Sequence, residues 1–559
     1  MKKIIYILSA LILLATTSCS LDEQSYVDVD KNKFMNNAKE ADLVLLGVYR
    51  NLVNEGLYAY NLSMVFDLTN DLAQCEGNST ANFREIPTNY FNKSNKQVED
   101  TWRQLYAAIY MANDFIATLN TKKEAYTEED REKAEIFIAE AKTLRALFYF
   151  ELVRWYGNVT LVLTPEDADK KPEEFVQITP AQAYVQIEQD LTEAALVLPW
   201  ATDANRPFRM SKGSAYGLLA KVYATWAGYP VHDQSKWTKA AETAAIVITS
   251  GKHELNPDFE EVWKNTCNSK WEPKESLIEV SFYAQAYTGN SNLDPMGRIG
   301  KWNGVQAKNG YEQGNNAGNV KVVYSFANKW QNQITADTTN DLPEDLRYGI
   351  SIANYKFDIP TGGTKVEKIF YSKDPMNPKT TELQNWTPRK WTTEYVEKAN
   401  VIVSNDLSNI NWYILRYADL LLIYAEALNE TKGGPTTEAL EAINQVRRRG
   451  YGLPISTAAV GIDLPALDQD GFRQAIRDER AYELCFEGHR RQDLIRWGIY
   501  QQTIQTTNTW LQNWWVPTDK NPEANYPAYR YTIAGKHELF PIPQREMDLM
   551  PQFRQNPKW

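Results

Sequence analysis

The densest set of groups with potential for chemistry lies in Ile476–Gly498, IRDERAYELCFEGHRRQDLIRWG. Ile476, Glu479, Glu483, Phe486 and Arg490 fall on one stripe at helical spacing, so the whole stretch reads as one helix. Glu487 stands three and four residues before Arg490 and Arg491, within reach of ion pairing along that helix. Carboxylates beside a histidine, here His489, have the residue types of acid–base catalysis. The other face, with Ala481, Leu484 and Cys485, is apolar, so part of the charge must be buried and must find partners. The reading these residues favour is an internal lattice of salt bridges that locks helices together, with His489 as a structural hydrogen-bonding group.

Motifs for familiar reactions are absent. There is no G-x-S-x-G elbow, no H-E-x-x-H, no G-x-x-x-x-G-K-[ST] and no dinucleotide fingerprint. Asp468-Gln469-Asp470-Gly471 has part of a calcium loop. Aligned on Gly471, however, the position that needs a bidentate Glu is Arg477, so a turn and helix cap is expected. Cys75, Cys267 and Cys485 are an odd number at wide spacing without a C-x-x-C, which indicates neither a disulfide framework nor a zinc site. A glycosidase needs two carboxylates across a cleft, and 71 acidic residues single out no pair. The expectation is a protein that is not an enzyme and holds neither cofactor nor metal. Its net charge of −11 is of the wrong sign for nucleic acid.

Binding without catalysis needs aromatic platforms and hydrogen-bonding groups on exposed loops. Seventeen Trp and 32 Tyr supply many rings. Trp102, Trp155, Trp226, Trp237 and Trp497 sit in helical patterns and are assigned to the scaffold. Trp271, Tyr283, Tyr287, Trp302 and Tyr311 sit in an irregular region, interleaved with Asn290, Asn292, Lys301 and Asn303. A second loop, Asn70–Phe91, holds Asp71, Asn82, Phe83, Arg84 and Tyr90. The expected ligand contacts are Trp302 and Tyr287 as stacking platforms, then Tyr283, Trp271, Tyr311, Asn303, Phe83, Arg84 and Asp71. Core packing is an equal alternative for each ring.

The elements that must position these loops are legible. Asn37–Glu40 has capping-box spacing ahead of an apolar face, Ala41, Val44, Leu45, Val48 and Leu52. Val98, Trp102, Leu105, Ile109, Ala112, Ile116 and Leu119 form an unbroken stripe. Thr127–Asp130 opens a helix that runs to Tyr156 and stops at Gly157, and Thr179-Pro180-Ala181-Gln182 combines cap, proline and box partner. Two more helices are expected near Ser211–Gly228 and Ser235–Ser250. From about Lys252 to Asp406 helical periodicity fades and β-prone runs such as Ser276–Phe282 appear between turn signals. Helices return with Trp412–Glu430 and, after Gly433-Gly434-Pro435, with Glu438–Gly450, a pair of tetratricopeptide dimensions. The N-terminus is a basic pair, Lys2 and Lys3, an apolar stretch Ile4–Ala15 too short to span, and small residues leading to Cys19. It resembles a lipoprotein signal with Thr16 where Leu is commoner. Removal of residues 1–18 would lipidate Cys19 and take the net charge from −11 to −13.

ERAYELCFEGHRRQDLIRWG, followed by LFPIPQREMDLMPQFRQNPKW at Leu539–Trp559, closely resembles the SusD/RagB family. AEAKTLRALFYFELVRWYGNVTLVL (Ala139–Leu163), MSKGSAYGLLAKVYATWAG (Met210–Gly228), RYADLLLIYAEALNE (Arg416–Glu430) and ALEAINQVRRRG (Ala439–Gly450) continue the resemblance in order. It implies a mainly α fold, a helical scaffold with tetratricopeptide-like pairs plus a loop-rich ligand-binding part. The implied layout is a signal peptide (1–18) and one SusD-like domain (19–559). Its scaffold covers about 36–251 and 412–498, its insertion about 252–406 and its C-terminal segment 499–559. It further implies a lipid-anchored protein on the outer face of a Bacteroidota outer membrane. Such a protein would capture oligosaccharides for a SusC-like TonB-dependent transporter. An oligopeptide ligand, a tetratricopeptide-like adaptor and a surface glycoside hydrolase are the alternatives.

Overall fold

The computed structural model describes residues 34–77, 80, 82–283, 296–308, 310–371, 385–402, 404, 406–514 and 526–559. Residues 1–18, Cys19, Tyr287, Asn290 and Asn292 lie outside these described residues.

The first half is built from α1 (Ala38–Tyr49), α2 (Lys96–Lys122), α3 (Glu128–Tyr156), α4 (Pro180–Val197), α5 (Lys212–Ala227) and α6 (Lys236–Thr249). Their starts coincide with the capping signals. Asn37, Thr127 and Thr179 accept from the backbone N–H groups of Glu40, Asp130 and Gln182, orphan donors that a helix start must otherwise leave to water. The α2 stripe from Val98 to Leu119 is buried throughout. α3 ends at Gly157, where φ is +72° and a Cβ would lie 2.8 Å from Leu539, so the stop requires glycine. α3 packs on α1, α2 and α4, α4 on α5, and α5 on α6, which continues into the C-terminal helices.

The middle of the chain carries α7 (Phe259–Cys267), α8 (Tyr324–Thr339) and short antiparallel strand pairs. These are β1 (Ala73–Cys75) with β3 (Val320–Val322), β2 (Ser276–Val280) with β8 (Trp412–Arg416), β4 (Ile352–Ala353) with β7 (Thr387–Pro388), and β5 (Tyr355–Asp358) with β6 (Glu367–Phe370). The helical reading from Trp412 is corrected here: helix α9 is Tyr417–Lys432, and the preceding WYILR is a strand. Trp, Tyr and Ile suit a pleated strand, and β2 supplies the backbone partners. α9 packs on α6, on α10 (Thr437–Gly450) and on α11 (Gln469–Leu484), with Ala425, Ala439 and Ala442 buried. Asp468 caps α11 by accepting from the Gly471 N–H, as the failed calcium loop predicts.

The single helix read over Ile476–Gly498 is two. α11 ends at Leu484 and α12 (Arg490–Arg496) begins after a turn in which Phe486 and Gly488 take φ of +66° and +76°. The break redirects the charges, so Glu487 pairs with Lys390 (2.7 Å) and Arg416 (2.8 Å) rather than with Arg490 and Arg491. The lattice itself is there. Arg347, Lys390, Arg416, Arg447 and Arg449 interlock with Glu275, Asp345, Glu479, Glu483 and Glu487, five cations against five carboxylates. Glu483 sits at its centre, bonded to Arg449 (2.6 Å), Arg416 (3.0 Å) and Arg347 (3.2 Å). Burial pushes its carboxyl up, but those three guanidiniums outweigh it and hold it at about 2. A second group joins Asp419, Glu426 and Asp493 to Lys221, Arg480 and Arg496. His489 adjoins it, 3.1 Å from Lys221, and burial holds its imidazole well below the usual range, in keeping with a structural role.

Candidate functional site

The fold brings the two candidate segments together. β1 and β3 pair with Gln74 opposite Lys321, and the contact continues through Glu76 N–H to Asn319 O and Asn319 N–H to Trp302 O, both 2.7 Å. From the other side, the Arg298 N–H donates to Ala59 O and its guanidinium pairs with Glu55 at 2.8 Å. Trp302 is thereby held between Tyr60 and Phe83, in edge contacts at 5.0 Å and 5.6 Å, and is only 7% exposed. Tyr60 and Phe83 are half-buried, and each carries a guanidinium on its ring, Arg298 over Tyr60 at 5.0 Å and Arg84 over Phe83 at 4.3 Å. Such cation–π pairs hold rings still at a surface.

The remaining candidates have varied settings. Tyr283 is 60% exposed and follows the buried Phe282 in the chain. Asn303 is buried and accepts from the Gly300 N–H at 2.7 Å, which shapes the turn that presents Trp302. Tyr311 stacks on Phe357 at 4.3 Å in the neighbouring β5–β6 ribbon. Arg84 donates from Nε to Glu76 O at 2.6 Å, which ties the loop back on itself. Asp71 is bound to Arg490 at 2.8 Å through both oxygens, a link from this loop to α12. Trp271 meets Phe208 at 6.5 Å ahead of α5, away from the Trp302 contacts.

Sequence reading missed Tyr60, Arg298 and Lys321. Tyr60 precedes a π-helical turn with no pattern signal, and the Val-Lys-Val alternation of β3 assigns Lys321 to solvent. Instead Lys321 is buried, and neither its Nζ nor the Oε1 of Gln74 across the strand has a hydrogen-bond partner. Burial lowers the Lys321 ammonium, against the attraction of Glu76. Lys301 is also buried, donates to Gln313 O at 2.7 Å and is brought down to about 8 by desolvation. The Cys75 thiol, on β1, is pushed up to about 12 by burial. Among the described residues no group of three His, Cys, Asp or Glu could hold a metal ion, and no helix is long and apolar enough to cross a membrane. The arrangement offers rings, guanidiniums and amides, the groups that hold a polyhydroxylated ligand.

Residues 235–559 match the sequence profile of the SusD family, more than half of the chain. The chain belongs to the SusD family. Residues 20–224 match a SusD-like profile described as starch-binding associating with outer membrane. A crystal structure of a SusD homolog from Bacteroides thetaiotaomicron VPI-5482 is 49% identical, with a TM-score of 0.89 over 96% of this chain and 100% of that one. SusD-like protein P2 of Formosa agariphila is 27% identical over 99% of each chain. A laminarin-binding SusD-like protein shares the fold at 24% identity, TM-score 0.68, over 94% of this chain and 100% of that one. These likenesses bear out the mainly α SusD-like fold read from the sequence.

Proposed function

We propose that this SusD-family protein is a cell-surface lipoprotein that captures oligosaccharides and delivers them to a SusC-like TonB-dependent outer-membrane transporter. Cys19 would carry the lipid, and the folded part would face the extracellular side. The observation that carries the reading is the Tyr60–Trp302–Phe83 cluster. It joins the two loop segments into one surface and is braced by Arg84 and Arg298. In this arrangement Trp302 underpins the shelf, and Tyr283, Tyr60, Phe83 and Tyr311 offer ring area to sugar faces. Asp71, Asn303 and Arg84 hold the loops in place, and Trp271 and Tyr287 complete the candidate set. The description of the matching profile as starch-binding and the laminarin bound by one structural relative support a glycan as the ligand. Binding of this kind needs no reacting groups; a lid over a transporter gates and concentrates its cargo.

Calorimetric titration against plant, host and microbial glycans tests the reading, with Tyr283→Ala alongside. Saturable binding of one glycan class, without hydrolysis and weakened about tenfold in the variant, is the expected result. Silence across the panel overturns the glycan reading in favour of peptides, and release of reducing sugar would make the protein a hydrolase.

A further inference from the structure

Where the loop that carries Phe83 and Arg84 ends, a cavity of about 430 Å³ opens between Asn89–Asn92 and Arg530–His537. That volume lies within the roughly 300–1,000 Å³ of small-molecule sites. Tyr90 is 54% exposed and meets Tyr531 with ring centroids 4.8 Å apart, so two tyrosines form one wall.

The charge of the lining is one-sided. Arg530 lies over the Tyr531 ring at 5.3 Å, and Lys536 over Trp559 at 4.0 Å. Neither cation has a carboxylate partner among the described residues, and no carboxylate lines the cavity. His537 is buried, and its Nδ1 accepts from the Ile533 N–H at 2.9 Å, which places its proton on Nε2, a donor without an acceptor. Burial, with Arg491 and Lys536 adding to it, keeps that imidazole neutral, down to about 3. Asn89 donates to Tyr500 and Thr532, and its Oδ1 is left without a donor. In a chain of net charge −11, a cavity walled by unpaired cations and donors is complementary to an anion.

We propose that this cavity is a second saccharide site, for a sugar unit that bears a carboxylate or a sulfate ester. Arg530 and Lys536 receive the anion, Tyr531 and Tyr90 face the ring, and Asn89 Oδ1 accepts from a hydroxyl. The proposal rests on the glycan reading only for the ligand's being a saccharide; its residues are separate from the Trp302 surface.

The test is calorimetric titration of the purified full-length chain with digalacturonate, galactose 6-sulfate, neutral galactobiose and inorganic sulfate. At least one acidic sugar is expected to bind saturably, tenfold or more tighter than galactobiose and than inorganic sulfate. The two acidic probes separate carboxylate from sulfate. Arg530→Gln and Tyr531→Ala should each weaken that binding about tenfold, whereas Lys239→Gln on α6, which removes the same charge elsewhere, should leave it unchanged. Binding of neither acidic sugar, equal binding of galactobiose, equal binding of inorganic sulfate or indifference to Arg530→Gln overturns the proposal. Neutral glycans that fail to bind at the Trp302 surface would leave this result standing, and acidic sugars that fail here would leave that surface's reading standing, so the two fail separately.

Discussion

The salt-bridge lattice around Glu483 and the surface around Trp302 are both crowded with charge and aromatic rings, but they pair their charges differently. In the lattice five cations face five carboxylates, and each makes at least one ion pair inside the core. Under the Trp302 surface, Lys321 Nζ and Gln74 Oε1 are buried without partners. In the Tyr90–Tyr531 cavity, Arg530 and Lys536 have no carboxylate partner among the described residues. A buried charge without a counter-charge costs free energy; the lattice pairs every one of its charges, although Arg449 Nε has no hydrogen-bond partner of its own, whereas Lys321 has neither. The difference separates two kinds of charged cluster that look alike in the sequence.

The largest effect expected is from Glu483→Ala. It leaves Arg347, Arg416 and Arg449 short of their common partner and should cost about 3–5 kcal/mol, read as a fall in the chemical-denaturation midpoint. A loss below about 1 kcal/mol would mean that the lattice is redundant. The same groups set the acid limit. Glu483 and Asp493 are held at about 2 in the fold, against 4.5 and 3.8 as free side chains. Each therefore contributes stability that is present above its free value and is lost as pH falls toward 2. Glu279 runs the other way. Burial raises it from 4.5 to about 7, so its contribution is present below pH 4.5 and lost as pH rises through 7. Melting temperature should thus drop steeply below pH 4. Glu279→Gln should flatten the slope between pH 4.5 and 7, and an unchanged slope there would place a partner on Glu279 that the fold does not show.

Lys321→Met sharpens the comparison from the opposite side. Removing a buried ammonium with no hydrogen-bond partner should stabilise the protein by about 1–3 kcal/mol, the reverse of the lattice variant. If Lys321 serves the ligand, glycan affinity falls in the same variant. More stability with weaker binding is the signature of a group kept for function; less stability would assign Lys321 to the scaffold.

The scaffold was legible because its signals are local. Asn37, Thr127 and Thr179 cap the helices that follow them, and the Val98–Leu119 stripe marks its own buried face. The lattice was legible in kind, because so many charges on a partly apolar segment must be paired inside. Its pairings were not, since they depend on the turn at Phe486–Gly488 and on Glu275, Lys390 and Arg416 arriving from far along the chain. The candidate surface was legible only as two segments. That Phe83 meets Trp302, and that Lys321 turns inward opposite Gln74, follows from the β1–β3 register across some 250 residues of intervening chain. A three-residue strand leaves no period to read.

The smallest effect belongs to Phe83→Ala. Phe83 is half-buried, with Trp302 at 5.6 Å on one side and Arg84 on its ring at 4.3 Å, so truncation removes an aromatic contact and a cation–π contact together. Each is worth about 0.5–1.5 kcal/mol in a partly exposed setting. Loss of these contacts should move the melting temperature by only a few degrees, whereas loss of a ring that faces the sugar should weaken glycan binding by about tenfold, a fall that calorimetry resolves. That ratio decides between the two regions. A scaffold ring such as Trp155, buried between Phe66 and Phe540, would register chiefly in melting. A Phe83 variant that melts early and binds unchanged would place Phe83 with Trp155, and the shelf would shrink to Tyr60, Tyr283 and Tyr311.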